Sequence, residues 1–159
     1  MEITPYTRMV FYHETDRMDI VNHSNYIHMA EEARVDFMEK IGIGYSRMEE
    51  QGIMLPVLGV TCEYKHSLHF GEHLAVYSYI TKYNGFKLEL RYDIVCIETG
   101  QLCASCHFFP LLHRHEDQAD ADSGQISGNA CLFPESHGSD LSGTLKKLLQ
   151  MQKPSAYFL

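Results

Sequence analysis

The chain has 159 residues, 45% of them apolar and 21% charged, which is length for one compact domain and a composition that excludes a disordered or fibrous protein. Its 13 basic and 21 acidic residues leave a net charge of -8, which repels phosphate backbones at long range and argues against nucleic-acid binding. No run approaches the roughly 18 to 20 apolar residues that cross a bilayer, and the start, MEITPYTRMV, lacks the apolar core of a signal peptide. The expectation is a cytoplasmic chain with no membrane partner, whose five cysteines, Cys62, Cys96, Cys103, Cys106 and Cys131, stay as thiols and serve packing.

The segment Met9 to His13 reads as a short strand, followed by the charged loop Glu14 to Asp19. Tyr26, Met29, Ala30, Ala33, Phe37 and Ile41 then recur at helical spacing. They predict one long helix over about Asn25 to Lys40, with Ser24 or Asn25 as N-cap and Gly42 or Gly44 as the stop. Ile27, Val35 and Met38 fall outside its main apolar stripe, so this helix is expected to meet protein on more than one side. A shorter helical piece is placed at Ser46 to Gln51. From Val57 the period changes to two, giving strands at Val57–Tyr64, Leu74–Ile80, Phe86–Cys96 and Leu102–Leu112, read as a meander with a two-residue hairpin at Asn84-Gly85. Residues 113–133 are polar, acidic and poor in large apolar side chains and read as a loop, with a short amphipathic helix over Leu141 to Gln150 in the C-terminal tail. A single domain over residues 1–159 is expected.

The stretch Glu14-Thr15-Asp16-Arg17-Met18-Asp19-Ile20-Val21-Asn22-His23-Ser24-Asn25-Tyr26 sets a carboxylate in a loop that leads into the long helix. A helix start offers unpaired N–H groups and a positive dipole end, suited to polarising a carbonyl oxygen. Asp16 then has two chemical readings, attack on that carbonyl or activation of water. It also has a structural one, since Asp16 and Asp19 are equally at home as solvated loop or capping residues. Spacing alone leaves these open.

Cys103-Ala104-Ser105-Cys106-His107 matches C-x-x-C-H haem attachment literally. It falls inside a predicted strand, where residues three apart face opposite sides and the thiols diverge. His66, His69, His73, His113 and His115 match no closed zinc spacing. The alternation of Tyr77, Tyr79 and Tyr83 reads as sheet surface or a subunit contact, not a base-stacking platform.

Taken together, Thr15-Asp16, Ile20-Val21, His23-Ser24-Asn25-Tyr26, Glu31 and Ala33-Arg34, with Pro56-Val57, Tyr64, Phe70-Gly71, Asn84-Gly85 and Thr99-Gly100 further on, resemble the hotdog-fold acyl-CoA thioesterases of the 4-hydroxybenzoyl-CoA thioesterase type. The resemblance runs from about Met9 to Leu112. It implies an α+β hotdog fold, one long helix packed on a curved antiparallel sheet of about five strands, and hydrolysis of an acyl-CoA thioester to a free acid and CoA. Carried over, the catalytic carboxylate falls on Asp16, the carbonyl-polarising amide on the backbone N–H of His23, and substrate-binding positions on Asn25, Tyr26, Glu31 and Tyr64. For Tyr26 and for the Glu31/Arg34 pair the residues themselves favour structural roles, a core position and an i,i+3 contact. The resemblance implies no metal or redox cofactor, and a homodimer or homotetramer with sites at the subunit boundary. Lys65, Lys82, Lys87 and Arg91 are candidates for the CoA phosphates. Two features depart from the family pattern: Asp19 stands where glycine is usual, and the polar connection after Leu112 exceeds the usual ending. Two other readings of the same fold are an acyl-CoA-binding module without catalysis and an enoyl-thioester hydratase. The hydratase needs an aspartate and a histidine five apart in D-x-N-P-x-H, whereas Asp16 and His23 are seven apart with no proline between them.

Overall fold

The computed structural model describes residues 3–114 and 139–151. Most of the expected polar loop, with His115 and Cys131, and the residues beyond Met151 lie outside these. In chain order the elements are β1 (Tyr6–Met9), a 3-10 turn (Tyr12–Glu14), α1 (His23–Lys40), α2 (Tyr45–Glu50), β2 (Ile53–Met54), β3 (Val57–Tyr64), β4 (His73–Tyr83), β5 (Leu88–Cys96), β6 (Leu102–Pro110), β7 (His113–Arg114) and α3 (Ser139–Met151). Five strands form one antiparallel sheet in the order β1-β4-β5-β6-β3, and β2 pairs with β7 beside it. His113 and Arg114, expected as the start of the loop, therefore begin with a strand pairing.

Only β4, β5 and β6 make the expected meander; β3 lies at the far edge against β6, not beside β4. The eight residues 65–72 between them are too many for a tight hairpin. They cross the end of the sheet, and their one buried apolar residue, Leu68, is tied by its C=O to Val21 N–H at 2.8 Å. The β4–β5 connection is also longer than the two residues expected. It spans residues 84–87, because Asn84 Oδ1 accepts from the N–H groups of both Phe86 (3.1 Å) and Lys87 (2.8 Å) while Gly85 sits at φ +100°.

The inward face of β5 is as the period predicts, with Leu88, Leu90, Tyr92, Ile94 and Cys96 all buried. Its other face is not simply solvated. Asp93 is buried there and accepts from Arg91 and from Ser105 Oγ on β6, the latter at 2.8 Å. Cys103 and Cys106 do not diverge either. The β5–β6 register shifts between Ile94 and Val95, opposite the stretch holding Cys103, and this bulge resets the alternation so that both thiols join the core.

Over this sheet lies α1, which buries Tyr26, Met29, Ala30, Ala33, Arg34, Phe37 and Met38. Met38, outside the predicted stripe, belongs to the core, whereas Val35 stays exposed and Ile27 half-buried. From α3, Leu145 and Leu148 pack into the same core.

The first strand is Tyr6–Met9, earlier than expected, because Arg8 anchors it. Its guanidinium donates to Glu14 (Nη1 to Oε2 at 2.8 Å, Nη2 to Oε1 at 2.5 Å) and, through Nε, to Glu32 of α1 at 2.6 Å. Glu14 is only 5% exposed, and it also accepts from Phe11 N–H at 2.7 Å. Burial opposes its charge, but the hydrogen bonds from Arg8 and Phe11 outweigh burial and hold its carboxyl below the usual carboxylate range.

Removing one partner of a buried ion pair leaves the other charge uncompensated, at a cost of about 3–5 kcal/mol. Glu14→Gln should therefore lower stability by about 3 kcal/mol in chemical denaturation, the low end, since Arg8 keeps Glu32. Because the folded pKa of Glu14 is depressed, its contribution is fully present above the unfolded pKa of about 4.3 and is lost as pH falls through the folded value. The gap between wild type and variant should accordingly be constant from pH 6 to 7 and narrow below about pH 4.

Candidate active site

The loop before α1 is built by backbone pairing. Thr15 bridges antiparallel to Val21, the N–H of Asp16 donates to Ile20 C=O at 2.9 Å, and Asp19 N–H donates back to Asp16 C=O at 3.0 Å. This five-residue closure requires a left-handed residue, and Asp19 supplies it at φ +62°. Aspartate tolerates that region better than most non-glycine residues, so the loop is closed without the glycine usual at this place.

Within the loop Asp16 is half-buried, and its Oδ1 accepts from Met18 N–H at 2.8 Å. That bond fixes the carboxylate plane. The second oxygen, Oδ2, has no partner among the described residues, which leaves a lone pair available for attack or proton uptake.

After this loop α1 begins at His23, two residues earlier than Ser24 as cap would give and three earlier than Asn25. The cap is Asn22, whose Oδ1 accepts from both the N–H (3.1 Å) and the Oγ (2.8 Å) of Ser24. Asparagine and serine cap about equally well, so residue type alone does not choose between Asn22 and the expected Ser24 or Asn25. The tie is broken by Glu14, whose C=O accepts from Asn22 N–H (2.9 Å) and Asn25 Nδ2 (2.7 Å). With Ser24 and Asn25 N–H engaged at the cap, the N–H of His23 has no acceptor among the described residues. It is the first amide of an 18-residue helix, a position carrying the positive end of the dipole.

Tyr64, at the end of β3, donates its hydroxyl proton to His23 C=O at 3.0 Å and stands edge-on to both the His23 ring (6.4 Å) and the Tyr26 ring (5.4 Å). Burial and the neighbouring Cys62 thiol push Tyr64 up to about 12, so it remains a neutral donor at physiological pH.

The structure thus brings Asp16, His23 and Tyr64 to one end of α1. It places the other expected residues differently. Asn25 spends its side-chain amide on Glu14 C=O, bracing loop to helix. Tyr26 is 4% exposed, and its hydroxyl accepts from Leu68 N–H at 3.1 Å, holding the 65–72 crossing down. Glu31 is paired with Arg34 Nη2 and lies eight residues, or about 12 Å, along the helix from His23. Of the four basic candidates, Lys65 pairs with Glu63 (3.1 Å), Lys82 with Glu89 (2.9 Å) and Arg91 with Asp93; Lys87 makes no ion pair among the described residues. Lys82 and Lys87 line a groove of about 390 Å³ with Leu58, Tyr83 and Phe109.

Sequence reading missed Arg8 and Glu14, which hold the loop without facing it. The only available signal was an arginine and a glutamate flanking a short apolar run, which is common. His66, His69 and His73 go to separate partners, Leu102 C=O, Glu72 and Glu98. Among the described residues no group of three or more His, Cys, Asp or Glu is arranged to hold a metal ion. Among the described residues no helix is long and apolar enough to cross a membrane.

The pattern of the thioesterase-like superfamily matches residues 10–138. The "Putative acyl-CoA thioesterase YneP" of Bacillus subtilis is 42% identical over 85 residues, which are 54% of this chain and 62% of that protein, so the match spans less than two thirds of the relative. Among solved structures, a hypothetical protein of Thermus thermophilus superposes with a TM-score of 0.75 at 29% identity, covering 92% of this chain and 99% of that one. A DHNA-CoA thioesterase of Staphylococcus aureus gives 0.66 at 31% identity, covering 70% and 74%. With the pattern matched along most of its length, and a five-stranded antiparallel sheet carrying one long helix, the chain belongs to the thioesterase-like superfamily and has the hotdog fold.

Proposed function

We propose that this chain hydrolyses an acyl-CoA thioester to a free acid and CoA. The observation that carries the reading is the junction itself: a carboxylate with one oxygen unpartnered sits in the loop that delivers an unpartnered amide at the start of α1. Membership of the superfamily, and the names of two similar proteins, a putative acyl-CoA thioesterase and a DHNA-CoA thioesterase, support the substrate class.

In this mechanism the thioester oxygen takes the hydrogen bond of His23 N–H at the positive end of α1. Negative charge developing on that oxygen is then met by a fixed dipole that needs no reorganisation. Asp16 Oδ2 either takes a proton from water, whose oxygen adds to the carbonyl carbon, or itself adds to that carbon to form an anhydride that water opens. In both routes the C–S bond breaks as the tetrahedral centre collapses, and CoA leaves as a thiolate that picks up a proton. Tyr64 holds the His23 carbonyl and so keeps the first turn in place.

Asp16→Asn keeps the shape and loses the anion; Asp16→Ala loses both. Each should retain fold and lower hydrolysis by at least ~10²-fold across a panel of short, medium, long and aromatic acyl-CoAs. Near-normal turnover in the alanine variant overturns the role of Asp16. Tight acyl-CoA binding with no hydrolysis by wild type at any chain length favours the non-catalytic module.

The site is proposed to be shared between two copies. β3 has an outer edge without a strand partner among the described residues, and an unpaired edge favours pairing with another chain. Within one chain the groove at Leu58 and the helix start at Tyr64 lie at opposite ends of β3, six residues or about 20 Å apart. Two-fold antiparallel pairing of β3 with itself reverses one copy, setting the groove of one beside His23 of the other, with Lys82 and Lys87 available to the CoA phosphates. Specific activity measured beside sedimentation over a dilution series should then fall as the assembly dissociates, before helicity is lost. A monomer with the full per-chain rate overturns the shared site and leaves the role of Asp16 standing.

A further inference from the structure

Cys62 on β3 stands opposite Cys106 on β6, and both are free thiols. The phase of the ladder fixes how they face each other. Lys65 N–H donates to Cys103 C=O at 2.8 Å, which marks that step as hydrogen-bonded, and the register then runs without a break through Tyr64/Ala104 and Glu63/Ser105 to Cys62/Cys106. Three steps on from a hydrogen-bonded pair is a non-hydrogen-bonded one, where Cα atoms lie about 4.5 Å apart and side chains approach most closely.

They differ in access. Cys106 is fully buried, whereas Cys62 is half-buried, so a small solute meets Cys62 first. The facing Cys106 thiol draws the Cys62 thiol below its ordinary pKa, outweighing the opposite effect of burial, while the facing Cys62 thiol and burial push Cys106 up. The pair is therefore asymmetric, with a more accessible member inclined to the thiolate and a buried member that keeps its proton.

We propose that Cys62 and Cys106 form an oxidant-closed dithiol, a modification site that takes a peroxide as co-reactant. The Cys62 thiolate attacks one peroxide oxygen; the O–O bond breaks, sulfur is oxidised to the sulfenic acid, and the other oxygen leaves as hydroxide and is protonated to water. The Cys106 sulfur then displaces the sulfenic oxygen as a second water, and the S–S bond forms. In sum two thiols lose two hydrogens and one hydrogen peroxide becomes two waters.

Closure has a geometric cost that makes it reversible. At a non-hydrogen-bonded pair the Cα atoms, about 4.5 Å apart, stand at the short end of the disulfide range, below its usual separation of about 5.5–6 Å. Closure therefore compresses the ladder at this step, which the register shift between Val57 and Val60 lets β3 take up. A bond strained in this way is easily reduced, as in labile or regulatory disulfides. The inference needs only the pairing of β3 with β6 and stands apart from the proposed hydrolysis.

The test treats the reduced full-length chain with about one equivalent of hydrogen peroxide, blocks remaining thiols with iodoacetamide, and maps peptides by mass without reduction. The expected product is an intramolecular Cys62–Cys106 disulfide, two hydrogens lighter, which millimolar glutathione reopens. C62S should give no such bond and leave Cys106 unoxidised, and since Cys62 is half-buried this variant is the one expected to fold; wild-type mapping decides the matter if it does not. Accumulation of Cys62 as sulfinic acid with Cys106 free, a bond from either residue to another cysteine, or a Cys62–Cys106 bond that resists millimolar glutathione overturns the proposal.

Discussion

The site depends on one buried charge pair that does no chemistry. Arg8 and Glu14 lie six residues apart, yet between them they fasten three elements. The guanidinium belongs to β1, the carboxylate ends the 3-10 turn, and the third donor reaches Glu32 on the outer part of α1. Through its backbone carbonyl Glu14 then holds Asn22 and Asn25. A displacement of Glu14 moves the helix cap and the Asp16 loop together. An apolar pair at these positions could pack as well, but it could not fix direction, and the loop–helix junction is a matter of direction.

The loop shows the same economy at smaller scale. A carboxylate proposed to act at a carbonyl must be held but not consumed. Asp16 meets this by giving one oxygen to Met18 N–H and keeping the other. The return of the chain after it requires positive φ, and Asp19 adopts it at some conformational cost. The exposed carboxylate of Asp19 adds negative charge to the loop, which a glycine would not, so any anionic part of a ligand approaching Asp16 meets two carboxylates. That favours a ligand whose phosphates lie far from the reacting carbon, as they do in a CoA thioester.

What the sequence made legible follows from which forces are local. Helical period placed α1 almost to the residue at its C-terminal end, and period two placed β3 and the inward face of β5, because burial of alternate or every third and fourth residue is written in the chain itself. The N-terminus of α1 was misplaced by two residues because Asn22, Ser24 and Asn25 are all good caps and a distant carbonyl chose among them. The position of β3 at the sheet edge was likewise invisible, since strand order depends on where an eight-residue connection finds partners, here Val21 and Tyr26. A bulge put Cys103 into the core against the alternation rule. Asn25, Tyr26 and Glu31 are recognisable in sequence by position, yet their bonds go to backbone or to Arg34, so matching a motif located them without revealing what they hold.

β3 concentrates the remaining demands on the fold. Its inner edge pairs with β6 and its outer edge has no strand partner among the described residues. Its last residue, Tyr64, braces the first turn of α1, and near its start Leu58 lines the groove with Lys82 and Lys87. Large apolar residues along it remain exposed, Leu58 at 63% and Val60 at 37%. An edge of this kind is costly to leave in water and prone to indiscriminate pairing, so its retention implies a use. The self-pairing proposed above supplies one, since a two-fold axis through β3 would satisfy its free N–H and C=O groups and cover Leu58 and Val60 in the same step. It would also set the groove of one copy beside the helix start of the other, which one chain holds about 20 Å apart. On that proposal, covering the edge and completing the site are the same event.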